Sequence, residues 1–312
     1  MNLSPSFLCC FFFLGLNTLH GQNSDWDKAL ELDSTGKHAQ AIKLLDRLVD
    51  DPAMRLKALL MRSRIRFDDL HQAEAAFEDI GMAMQFAPDS LGPYVNRGSM
   101  YMNLGMPDRA IEDFRTGLKK SHTAGDSATL NLNLGSALGM VRRFEEAITA
   151  LDAAIAQKED NWPALMNKAT MLDEVGRTDE AHAILVKLHE AQPENAVILN
   201  NLGFSSSKAE DHKGAIHWFT KALALKPSDA VILNNLGFAQ FQAGEVDAAL
   251  DNVQKSIKGY PGNSYAYRNL GIILQAKGQQ DKACEAFESA LQRNFTEQYG
   301  PEVDQLRRKN CH

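Results

Sequence analysis

The nine residues AVILNNLGF at Ala196–Phe204 return unchanged at Ala230–Phe238, an offset of 34. Nine identities at one offset mark an internal duplication, and a period of this length is the signature of a repeat array. Working outward at the same period gives segments beginning near Gln22, Lys57, Leu91, Ala128, Trp162, Ala196, Ala230 and Ser264, with steps of 35, 34, 37, 34, 34, 34 and 34 residues. The chain of 312 residues therefore reads as one quasi-linear tract of about eight units, near 22–55, 57–90, 91–124, 128–161, 162–195, 196–229, 230–263 and 264–297.

Within a unit, residue type recurs by position. Position 20 is alanine in all eight, as Ala41, Ala76, Ala110, Ala147, Ala181, Ala215, Ala249 and Ala283. Position 8 is small in every unit but the second, where Arg64 stands: Ala29, Gly98, Gly135, Ala169, Gly203, Gly237 and Gly271. Two small positions let paired helices approach closely, which accounts for glycine inside a helix despite a cost of about 1 kcal/mol. Gly36, Gly105, Gly176, Gly244 and Gly278 at position 15 suit a left-handed turn. Pro88, Pro193, Pro227 and Pro261 at position 32 stop the second helix. Each unit predicts helix, turn, helix, turn, and the fold class is all-α.

This pattern resembles the tetratricopeptide repeat (TPR) family, in which position 8 is small, position 11 aromatic or aliphatic, position 20 alanine, position 24 aromatic and position 32 proline. The resemblance covers roughly residues 22–297. It implies a right-handed α-solenoid of stacked helix pairs whose first helices line a concave groove, and it implies no catalysis. Units one and two are the least regular, with Pro52 one place early and Arg64 in place of a small residue. The 37-residue step predicts a longer loop at Ser121–Asp126.

At 100° per residue, positions 2, 5, 6, 9, 12 and 13 of the first helix fall opposite its packed face. Position 6 is asparagine in six successive units, Asn96, Asn133, Asn167, Asn201, Asn235 and Asn269. An amide offers a donor and an acceptor on one arm, so such a ladder could pair with an extended peptide backbone; the competing reading is that these groups bridge adjacent helices. Toward the C-terminal half the same face turns apolar, with Val197, Phe204, Val231, Phe238, Phe241, Tyr265 and Ile272, and Arg268 stands among them. Phe204, Phe238, Phe241, Tyr265 and Arg268 join the six asparagines as candidate peptide-binding residues. The alternative is that neighbouring first helices bury the stripe.

Arg55, Lys57, Arg62, Arg64 and Arg66 are followed directly by Asp68, Asp69, Glu74, Glu78 and Asp79. That order favours mutual neutralisation over an anion pocket. The chaperone-tail clamp of some family members requires asparagine at position 9, where this chain has Ile65, Ser99, Ser136, Thr170, Phe204, Phe238 and Ile272.

Phe7–Leu16, FLCCFFFLGL, is an apolar run too short to span a bilayer and is expected to be the core of an export signal ending near residue 21. Removing it takes away Cys9 and Cys10 and leaves Cys284 and Cys311, expected to form a disulfide in an oxidising compartment. That bond would fasten a helical segment, residues 298–312, over the last unit as a cap. Periplasm, outer envelope and medium are the expected locations.

No HExxH, GxSxG, P-loop or dinucleotide fingerprint occurs, and no histidine pair has convincing metal-ligand spacing. A net charge of −7 lacks the basic footprint of a nucleic-acid binder. The expectation is a non-enzymatic scaffold without cofactor or metal, binding a protein or extended peptide in its groove. The alternative is an assembly subunit that uses its convex or lateral surfaces.

Overall fold

The computed structural model describes residues 24–121 and 123–311; the expected export signal lies outside them. Every regular element among these residues is a helix, and contacts divide the chain into two compact units, one ending at Asn167 and one beginning at Lys168.

The first unit is a series of helix pairs: α1 (Ser24–Ser34) with α2 (His38–Leu48), α3 (Arg55–Arg64) with α4 (Ala73–Phe86), α5 (Gly92–Asn103) with α6 (Pro107–Lys120), and α7 (Ala124–Met140) with α8 (Phe144–Gln157). Helix α9 (Trp162–Glu174) carries the chain across the division. In the second unit α10 (Thr178–Ala191) is followed by the pairs α11 (Ala196–Lys208) with α12 (His212–Leu225), α13 (Ala230–Gln242) with α14 (Val246–Gly259), and α15 (Ser264–Ala276) with α16 (Gln280–Leu291). Short α17 (Phe295–Tyr299) and α18 (Glu302–Asn310) close it.

Packing explains the periodic residues. All eight position-20 alanines are fully buried. A methyl group built on Gly203 would stand 2.6 Å from the Phe219 ring, and one on Gly98 or Gly271 would stand 2.4 Å from Phe114 or Phe287. The helical glycines are sockets for the bulky residue at position 24 of the partner helix. At position 15 the five glycines take φ between 69° and 87°. His71, Arg142 and Glu210 hold the same place at φ 55°, 60° and 61°, so the turn is kept even where a side chain disfavours it.

Two local features depart from expectation. The loop predicted at Ser121–Asp126 is helical from Ala124, because Thr123 caps α7 by accepting a hydrogen bond from the Asp126 amide at 3.2 Å. The longer step becomes an extra turn of helix. In the second repeat, the helix that carries Arg64 changes to π geometry over Ile65–Asp69.

The cap takes the form of α17 and α18. Phe295 and Val303 are buried among Leu274, Ala283, Phe287 and Ala290, with Leu306 and Cys311 packed alongside. Cys284 and Cys311 stand in disulfide geometry, their Cα atoms 5.7 Å apart.

Candidate binding surface

In the second unit the first-helix face is built from α11, α13 and α15. Its asparagines point along the stack and bond to one another. Asn235 donates to Asn200 Oδ1 at 3.1 Å and Asn269 to Asn234 Oδ1 at 2.9 Å, while Arg268 donates to Asn269 Oδ1 at 2.8 Å. Position 5 (Asn200, Asn234) thus supplies the acceptors for position 6 of the following repeat. Asn269 is 2% exposed, and in the first unit Asn133 is 3% exposed. Both were expected on an open face, and both are shielded because successive first helices lie side by side. Asn201 is half-buried. In the first unit Asn96 donates to the Leu60 carbonyl at 3.2 Å and Asn167 to Ser136 Oγ at 2.9 Å.

The aromatic row is half-buried. Phe204 packs beside Leu199, Phe219 and Leu236, and Phe241 beside Val253 and Ile273. The Phe238 and Phe241 rings are 6.1 Å apart, and Lys208 lies over Phe204 at 5.6 Å. Val197 remains 36% exposed. At the C-terminal end the row meets the cap: Tyr265 stands 5.1 Å from Phe295 and 4.7 Å from Tyr299. Arg268 lies 4.9 Å over the Phe238 ring and forms a two-toothed ion pair with Glu302 of α18.

One acid of this unit is deeply buried. Asp173, 2% exposed, accepts a hydrogen bond from Ser205 Oγ at 3.2 Å, and burial pushes its carboxyl up to about 7.

Ionic pairing dominates the first unit. Asp79, fully buried, is gripped by Arg62 (2.6 Å) and Arg66 (2.8 Å), with Asp46 on the far side of Arg62 at 2.8 Å. Arg97 and Asp113 repeat the motif at 2.6 Å. Arg64, unable to sit in a socket made for a small residue, turns to Asp33 and Asp69, and His38 Nδ1 joins them at 3.1 Å from Asp33. Arg62, Arg64 and Arg66 of the basic run are therefore ion-paired, partly by acids that follow them and partly by Asp33 and Asp46, and the Arg62–Asp79 pair is buried rather than solvated.

Tetratricopeptide repeat family models match residues 95–164, 141–200 and 253–285. The chain is a tetratricopeptide-repeat protein. The TPR fold agrees with solved structures. A tetratricopeptide repeat protein from Parabacteroides merdae ATCC 43184 superposes with a TM-score of 0.71 at 14% identity, covering 82% of this chain and 99% of that one. The APC/C hetero-tetramer Cut9-Hcn1 gives 0.63 at 15% identity, over 91% of this chain and 55% of that one. PilW, a type IV pilus biogenesis factor, gives 0.60 at 22% identity, over 70% and 98%. At these identities the likeness is one of fold. The uncharacterized protein y4yS of Sinorhizobium fredii (strain NBRC 101917 / NGR234) is 35% identical over 86 residues, which is 28% of this TPR chain and 46% of that relative, so the match spans about half the relative's length.

Sequence reasoning did not find Asn200 and Asn234 as acceptors, Glu302 as the partner of Arg268, or Tyr299 as the ring against Tyr265. The first pair was legible, since NN occurs twice in the duplicated stretch. The cap contacts carry no periodic signal. No helix among the described residues is long and apolar enough to cross a membrane.

Proposed function

We propose that this TPR protein is a non-catalytic scaffold that binds an extended segment of a partner protein along its first-helix faces, in an exported or cell-envelope complex. The observation that carries the reading is the aromatic row of the second unit: Phe204, Phe238 and Phe241 are half-buried and Val197 is exposed, so part of the row's apolar surface remains open. Rigid aromatic anchors of this kind dominate protein interfaces. The export context rests on the apolar run at Phe7–Leu16 and on the disulfide geometry of Cys284 and Cys311, which suits an oxidising compartment. The partner is a protein or peptide rather than nucleic acid, in keeping with the net charge of −7.

The asparagine ladder supports a second reading. With Asn235 and Asn269 spent on their neighbours, backbone clamping by position 6 has few free donors, which favours an assembly subunit that works through other surfaces.

Peptide-array binding separates the two. Val197→Lys combined with Phe238→Lys is expected to reduce binding at least tenfold while far-UV circular dichroism stays unchanged. Equal binding by wild type and variant, or none by either, favours the assembly subunit.

A further inference from the structure

We propose that the first unit carries a separate subsite for a cationic side chain of the bound segment, centred on Asp68. The inference rests on the groove-binding reading above and assigns it a chemical preference.

Arg64, Phe67 and Asp68 from the second repeat line a cleft with Asn96, Met100 and Asn103 from α5. Three of these residues lie in or beside the π-turn, which displaces Phe67 and Asp68 from the register that an α-helix would give them. π geometry recurs at functional sites, and here it forms the last turn of the first helix of the repeat.

The charges in and around the cleft are unequally matched. The Arg64 guanidinium is committed to Asp33 and Asp69. Arg62 and Arg66 are committed to Asp79 and Asp46, and Arg97 to Asp113. The Asp68 side chain makes no hydrogen bond and no ion pair among the described residues, although it is half-buried and the arginines around it are paired. One guanidinium, that of Arg64, stands among the three carboxylates of Asp33, Asp68 and Asp69, and both the guanidinium and the His38 ring face Asp33 and Asp69 rather than Asp68. Burial raises the Asp68 carboxyl above its ordinary range, with Asp69 adding to the rise and Arg64 opposing it. An incoming cation would reverse that cost, since an opposite charge at close range favours the ionised form.

The surroundings suit a lysine or arginine side chain. Half-buried Phe67, backed by the buried Met100, offers an aromatic face for the cationic head and an apolar edge for the alkyl stem. Asn96 has one N–H on the Leu60 carbonyl, which leaves its Oδ1 as a further acceptor, and Asn103 is exposed at the rim. The subsite therefore takes a basic residue of an extended peptide, held by a charge-assisted bond to Asp68.

The test is selection of a random dodecapeptide display library against the full-length protein, followed by titration of the enriched peptides. Enriched sequences are expected to share a lysine or arginine whose replacement by glutamine weakens binding about tenfold. Asp68→Asn is expected to give the same loss for the parent peptide and none for the glutamine peptide; Asp68→Glu should restore part of the affinity. Unchanged melting of both variants keeps the result free of folding effects. Peptides that bind equally to wild type and Asp68→Asn overturn the subsite and leave groove binding intact. Absence of any enriched peptide overturns both.

Discussion

The two units solve one packing problem with different chemistry at the same place. In the first unit, position 23 of repeats two and three is a buried carboxylate, Asp79 or Asp113, tied to an arginine of the first helix. In the second unit the corresponding residues are Trp218, Asn252 and Ala286, and successive repeats are joined by the amide chain from Asn200 to Arg268. The alanine at position 20 and the bulky residue at position 24 persist through both. The repeat therefore specifies where helices touch and leaves open whether ions, amides or rings tie them.

That difference can be broken by subtraction. Arg62→Met removes the main partner of a fully buried carboxylate, and although Arg66 remains, the loss is expected to be about 3 kcal/mol, near the lower end for breaking a buried pair. Asn269→Leu in the amide chain is expected to cost about 2 kcal/mol, because it leaves the buried Asn234 Oδ1 without its donor and takes an acceptor from Arg268. Urea denaturation of the full chain measures both, and a larger loss at Asn269 would invert the comparison.

Position 8 sharpens it. Gly203→Ala places a methyl 2.6 Å from the Phe219 ring and should destabilise the second unit by about 2 kcal/mol through overpacking, in spite of alanine's better helix propensity. The first unit already accommodates arginine at this position in repeat two, by turning it outward into a carboxylate pair.

A pH-dependent effect, separate from these, is expected at Asp173, the buried acid of the unit otherwise tied by amides. Its folded pKa of about 7 lies above the ordinary 3.8, so the folded state binds the proton more tightly. Between those values the unfolded state holds fewer protons, and stability falls as pH rises through that window. Asp173→Asn should flatten the profile, with melting temperatures at pH 5 and pH 8 closer together than in the wild type. An unchanged profile would assign the slope to other groups.

How far the chain could be read depends on periodicity. Ala41 and Gly203 were legible because each obeys a contact that recurs every 34 residues. The π-turn after Arg64 was visible only as a broken rule, since its form depends on Asp33 and Asp69 coming together in space. Position 6 could be assigned to the outer face by helical geometry, but a single helix contains no record of the next one, which covers Asn133 and Asn269. The Arg268–Glu302 pair lies across 34 residues yet joins a repeat to a segment outside the repeat pattern, so no periodic signal announces it.

The duplicated AVILNNLGF has a consequence for how the molecule can change length. The first helices of repeats six and seven present the same nine residues to whatever precedes them. Excision of residues 196–229 would join Asn195 directly to Ala230, and the preceding repeat would meet the same nine residues at the start of the next first helix, with Ala239 in place of Ser205, the donor to Asp173. An added copy would likewise extend the series with junctions already in use. The second unit can thus lose or gain a 34-residue module while the start of each first helix at the new seam presents residues already in use at such a seam, so its reach can vary in whole steps.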